Sequence, residues 1–112
     1  MVSQIRLQAT TEISEPVTVE ETRIAEDETA DHLYKVIAHD DPITTMQFVV
    51  RMMVQVFKKP LVFAEAIMWQ VHNEGQSVVD VLPRAEAEFR VQKATAAARL
   101  EGFPFRLTIE PD

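Results

Sequence analysis

Residues 33–57 read "LYKVIAHDDPITTMQFVVRMMVQVF", and the fold turns on how this stretch is divided. Its first part, "LYKVIAH", has the β-branched and aromatic content of a strand. Its last part, "TTMQFVVRMMVQVF", sets Met46, Val49, Val50, Met53, Val54 and Phe57 at spacings of three and four, which is the period of a helix. Either Thr44 or Thr45 can cap that helix, because a hydroxyl oxygen accepts from the orphan N–H groups of the first turn. Between the two lies "HDDPITTM", residues 39–46, with a histidine, two acids, a proline and two hydroxyls. The junction is a turn by its chemistry, and its density of polar groups also makes it a candidate binding site.

Downstream, "KKPLVFAEAIMWQVHNEG" predicts a second helix, with Pro60 in a first-turn position where its missing N–H is no loss. "QSVVDVL" is a short strand. "PRAEAEFRVQKATAAARLEG" is a third helix that opens on Pro83, carries Glu86 and Glu88 early and Lys93 and Arg99 late, as the helix dipole favours. Gly75 and Gly102 are the only glycines and both follow helical patterns, so both are expected as C-terminal caps. "FPFRLTIEP" alternates Phe103, Phe105, Leu107 and Ile109 with polar residues or proline, the period of a half-buried strand. The expected fold is therefore α+β: β-α-α-β-α-β, a three-stranded antiparallel sheet covered by three helices.

With 112 residues and 46% apolar composition, the chain can build one modest core. The charge is uneven: residues 1–31 hold eight acids and two bases, −6, whereas residues 32–112 hold ten acids and nine bases, −1. Residues 1–31 also lack helical or strand periodicity, so a flexible, disordered acidic extension is expected there, followed by one folded domain over 32–112. No basic patch suits a phosphate backbone, which argues against nucleic acid as a partner. No apolar run reaches the roughly 18 residues of a membrane span, and the acid-rich start is unlike a signal or transit peptide. A soluble, cytoplasmic monomer is expected.

Catalytic chemistry finds little support. There is no cysteine, Ser77 lacks a glycine elbow, and no phosphate loop occurs. His39, Asp40 and Asp41 are chain neighbours that point in different directions, and His32 and His72 add no ligand spacing, so neither a metal nor a cofactor is expected. The second helix places Met68, Val71 and His72 within one turn. On pattern alone a histidine on an apolar face is more often a core or boundary residue than a ligand, and a methionine-rich helix is more often plain core than a pocket wall.

Together, "YKVIAHDDPITTMQFVV", "AIMWQVHNEGQSVV" and "FPFRLTIEP" resemble the ClpS adaptors, without gaps from about Tyr34 to Pro111. The resemblance implies a binding module and not an enzyme. Such adaptors hold the free N-terminus of an N-degron substrate that begins with Leu, Phe, Tyr or Trp, and deliver it to an AAA+ unfoldase of ClpA or ClpC type. Carried over by position, the α-amino group would be met by Asp40, Asp41, Thr44 and His72. The hydrophobic pocket would be walled by Met46, Val49, Met68, Val71 and Phe105, and Arg90 would touch the unfoldase. Asp40 stands where the family usually has an amide, Pro42 where it has a second acid, and Phe105 where it has Leu. The alternative is a ClpS-like protein-interaction domain that has lost N-degron recognition.

Overall fold

A computed structural model of the protein describes residues 32–112, within which Leu33–Asp112 form one compact unit. The expectation of a disordered leader over residues 1–31 lies outside the described residues. The element order is β1 (Leu33–His39), α1 (Met46–Gln55), α2 (Leu61–Glu74), β2 (Gln76–Pro83), α3 (Arg84–Leu100) and β3 (Arg106–Pro111). This is the β-α-α-β-α-β order read from the sequence. The sheet is antiparallel with order β2-β1-β3, and β1 is its central strand. No helix among the described residues is long and apolar enough to cross a membrane.

Strand β1 pairs from Leu33↔Pro83 to His39↔Gln76 on one side and from Tyr34↔Pro111 to His39↔Arg106 on the other. A bulge falls between Val36 and Ile37. Val36 and Ala38 point into the core, together with Val79 and Leu107 of the outer strands. Helix α3 packs on all three strands through Ala87, Ala94 and Ala98, which are fully buried. These short side chains recur at helical spacing and let the helix approach the sheet closely.

Two expectations change in detail. The closing strand was expected from Phe103, yet β3 begins at Arg106. The carbonyls of Phe103 and Phe105 accept from the Arg99 guanidinium, at 2.7 and 3.3 Å, and Phe103 N–H donates back to Ala98. Those groups are therefore used by the end of α3, and Pro104 has no N–H to offer a ladder. Inward alternation still holds for Phe105 and Leu107, which are buried.

The second change concerns α1. The residues that reach the core are Phe48, Val49, Met52 and Met53, followed by Val56 and Phe57. Met46, Val50 and Val54, which share the helical spacing, lie on a second stripe: Met46 is 36% exposed, and Val50 and Val54 are half-buried. Phe48 anchors the core stripe, edge-on to Phe103 at 5.0 Å and to Phe105 at 6.0 Å. Helix α1 ends without a glycine: Lys58 takes the left-handed conformation (φ 60°), and Lys59 N–H returns to the Met53 carbonyl.

Replacing Phe48 by Ala should cost about 3–5 kcal/mol in urea unfolding, because a buried ring is lost and its cavity stays lined by two other rings. Phe63→Ala, at a residue 60% exposed, should change stability by less than about 0.5 kcal/mol in the same measurement.

Candidate functional site

The site is assembled where β1 ends, α1 begins and α2 ends. Gly75 closes α2 in the left-handed conformation (φ 90°), and its N–H donates to the Val71 carbonyl. Its own carbonyl is turned to accept from Asp40 N–H at 2.9 Å. One backbone hydrogen bond thus fastens the exit of β1 to the last turn of α2. It brings "HDDPITTM" beside His72, 26 positions beyond the end of that stretch.

Within the turn the two acids do different work. Asp41 Oδ1 accepts from the N–H groups of Ile43 (2.9 Å) and Thr44 (2.7 Å), and its Oδ2 accepts from the Thr44 hydroxyl (2.8 Å). Burial alone would raise the Asp41 carboxyl, but these hydrogen bonds, with the charge of Arg99, hold it below the usual aspartate value. Asp41 is therefore ionised and shapes the turn. The Thr45 hydroxyl oxygen accepts from Phe48 N–H at 3.2 Å and caps α1. Of the two threonines considered, Thr45 is the cap and Thr44 the lock on Asp41.

Asp40 is exposed, and its carboxylate makes no hydrogen bond or ion pair within residues 32–112. His72 is exposed on the last turn of α2, its ring edge-on to Trp69 at 6.0 Å. A free carboxylate and an imidazole at a helix C-terminus, where the backbone carbonyls carry partial negative charge, form a local environment that favours a cation.

Beneath these groups lies a cavity of about 350 Å³ lined by the turn residues 40–45, by Met46 and Val49 of α1, and by Met68, Val71 and His72 of α2. Val49, Met68 and Val71 are buried and form apolar walls. Asp40, Asp41, Thr44, His72, Met46, Val49, Met68 and Val71 are thus brought together around one cavity. Phe105 is not among its lining residues: the ring is 1% exposed, in the core against Phe48. Its place is behind α1, because the chain from Phe103 to Phe105 is tied to Arg99 and packs on Phe48.

Pro42, Ile43 and Thr45 also line the cavity and were not named as site residues from the sequence. Their only sequence signal was membership of the same turn. Arg90 is not among the residues that line this cavity. Its Nε donates to Glu86 at 2.8 Å and its Nη1 to the Val56 carbonyl at 3.2 Å, so the guanidinium fastens α3 to the end of α1.

His39, at the end of β1, faces across the sheet, where its Nε2 lies 2.7 Å from the Thr108 hydroxyl. Burial, aided by Arg106 and opposed by Glu110, lowers its pKa from the ordinary value.

Residues 29–108 match the family model described as "ATP-dependent Clp protease adaptor protein ClpS". The ClpS adapter protein of Desulfatibacillum aliphaticivorans is 38% identical over 80 residues, covering 71% of this chain and 77% of that protein. The ClpS adapter protein of Deinococcus radiodurans is 41% identical over 80 residues, covering 71% of each chain. Among solved structures, Agrobacterium tumefaciens ClpS2 bound to L-phenylalaninamide superposes with a TM-score of 0.70 at 33% identity, over 72% of this chain and 98% of that one.

The lowered His39 has a measurable consequence. The unfolded chain binds this proton more readily than the native state, so the stabilisation is complete above the unfolded value near 6.5 and is lost as pH falls through the lower native value. The urea midpoint should fall between pH 7 and pH 5, and His39→Gln should reduce that fall, since the other titrating groups are common to both proteins.

Proposed function

Because the chain belongs to the ClpS family of ATP-dependent Clp protease adaptors, we propose that its cavity holds the first residue of a substrate protein, Leu, Phe, Tyr or Trp, with a free α-amino group. The bound substrate is then passed to an AAA+ unfoldase of ClpA or ClpC type. The observation that carries this reading is the cavity itself: apolar walls from Met46, Val49, Met68 and Val71 stand directly below Asp40, Asp41 and His72. The ligand of the Agrobacterium tumefaciens relative, L-phenylalaninamide, has the same two parts, a bulky apolar side chain and a free amine.

Magnitudes explain why both parts are needed. An aromatic side chain buries about 150–250 Å², which at roughly 25 cal/mol per Å² is about 4–6 kcal/mol gross. Micromolar affinity takes about 8 kcal/mol. The difference must come from charge-assisted hydrogen bonds to the ammonium. Asp40 and His72 have no side-chain hydrogen bond or ion pair among the described residues, and Asp41 has already given most of its lone pairs to the turn. Thr44 serves the amine indirectly, by fixing Asp41.

The alternative, an interaction domain without N-terminal recognition, rests on Asp40 and Pro42. A carboxylate in place of an amide retains the acceptor the amine needs. Pro42 lines the cavity but has no side-chain acceptor to offer the amine.

A labelled peptide beginning with Phe should bind one site per chain in an anisotropy titration, and its acetylated form should not bind, because acetylation removes the charge and two donors. Equal binding of the two forms would reject the adaptor reading. His72→Ala should weaken the free peptide about ten-fold or more, the size of one charge-assisted hydrogen bond.

The acidic extension has a separate role in this proposal: the unfoldase engages it during hand-over. Deleting residues 1–28 should leave peptide affinity and thermal unfolding unchanged and slow the degradation of a Phe-initiated substrate in a reconstituted protease assay. A loss of peptide affinity on deletion would place the start of the domain earlier than residue 32.

A further inference from the structure

The larger of the two cavities that share Met46 and Met68 is not the one above. It is an open apolar groove of about 630 Å³ between α1 and α2. Met46, Val50 and Val54 line it from α1, and Leu61, Met68 and Trp69 line it from α2. This is the second stripe of α1, and the core leaves it partly uncovered. Leu61 is 59% and Trp69 51% exposed, so the groove is bordered by large apolar groups that no described residue buries.

Two features say what covers it. The first is continuity. Helices α1 and α2 are joined by residues 56–60 only, so they run antiparallel, and the groove starts at the Met46 and Met68 walls of the smaller cavity. Val50 lies one turn beyond Met46, about 6 Å along the axis, and Val54 about 12 Å. An extended peptide advances about 3.3 Å per residue, with alternate side chains on one side. A peptide whose first side chain enters the smaller cavity brings its third side chain about 6.6 Å further on the same side, level with Val50. The second feature is charge. Two charged residues line the groove, Arg51 and Glu65. Arg51 is neutralised by two 2.8 Å bonds to Glu101, whereas Glu65 has no ion pair among the described residues. Among the described residues the groove therefore presents an apolar surface with one carboxylate that no cation pairs.

We propose that this groove is a second subsite for the same peptide and takes an apolar side chain at the third residue, disfavouring an acidic one. The proposal rests on the smaller cavity's being the site for the amino-terminal residue.

The test is an anisotropy titration of labelled peptides Phe-Ala-X-Ala-Ala, with X as Ala, Leu or Asp, and of a control with Leu moved to the second position. Leu at the third position should bind about ten-fold tighter than Ala, as burial of its extra carbons predicts, and Asp should bind more weakly than Ala. Leu at the second position should behave as Ala. Val50→Gln should remove the gain from Leu while leaving the affinity for the X = Ala peptide unchanged; Val50→Thr, which keeps the shape of valine, should reduce the gain and guards against misfolding. Equal binding of the Ala and Leu peptides by the unaltered chain would overturn the proposal while leaving the first subsite standing. So would a gain that survives in both folded variants. If the X = Ala peptide itself fails to bind, the amino-terminal reading falls and this proposal with it. Sedimentation of the free chain as a dimer that Val50→Gln dissociates would assign the groove to a second copy, and would also overturn it.

Discussion

The bond from Asp40 N–H to the Gly75 carbonyl carries the pairing of β1 with β2 one step beyond His39↔Gln76 and so ties the acidic turn to the end of α2. A strand exit and a helix exit are both places where backbone groups lack regular partners, and here each satisfies the other. The geometry depends on Gly75: with φ at 90° the chain turns so that its N–H closes α2 onto Val71 while its carbonyl faces β1. Any residue with a side chain is strained in that conformation even though there is open space around the position. The same turn lets β2 begin at Gln76 and pair at once with His39. The turn at Gly75 and this bond together set His72 of α2 beside the exit of β1.

The two acids of the turn differ in how many hydrogen bonds their side chains accept. Asp41 satisfies two backbone N–H groups and one hydroxyl, and this closes a loop whose donors would otherwise face the cavity unpaired. Asp40, one residue earlier, uses its backbone for the fold, and its side chain has no hydrogen bond or ion pair among the described residues. Thr44 and Thr45 divide in the same way, one serving the turn and the other the helix. The turn is thereby held by its own hydrogen bonds, while the exposed Asp40 side chain keeps its rotamer freedom.

Helix α1 carries apolar residues on more of its surface than one core needs. Phe48, Val49, Met52 and Met53 are committed to the interior, held from behind by Phe103 and Phe105. Met46, Val50 and Val54 are left for the α2 side. Methionine suits the border between the two surfaces, since its unbranched chain can serve as wall to either cavity. Arg90 holds the far end of α1 through the Val56 carbonyl. The helix that forms one wall of both cavities is fixed at each end, by Thr45 and by Arg90.

The sequence by itself determined the order of elements, because each was encoded locally: β-branched runs, spacings of three and four, Pro60 and Pro83 at helix starts, Gly75 and Gly102 at helix ends. It also brought out Met68, Val71 and His72, whose shared face follows from helical pitch alone. Resemblance to a family supplied the joining of these residues to Asp40, Asp41 and Thr44; periodicity could not. What only the tertiary structure decided is which of two equally periodic stripes on α1 is buried, and that Phe105 sits in the core rather than among the cavity's lining residues. It also decided that Arg90 is occupied by Glu86 and Val56. Each of these depends on what packs opposite, and a spacing rule carries no information about the partner. Strand β3 starts at Arg106 for the same reason: the Arg99 side chain claims the carbonyls of Phe103 and Phe105, a competition between side chain and ladder that arises only once α3 lies on the sheet.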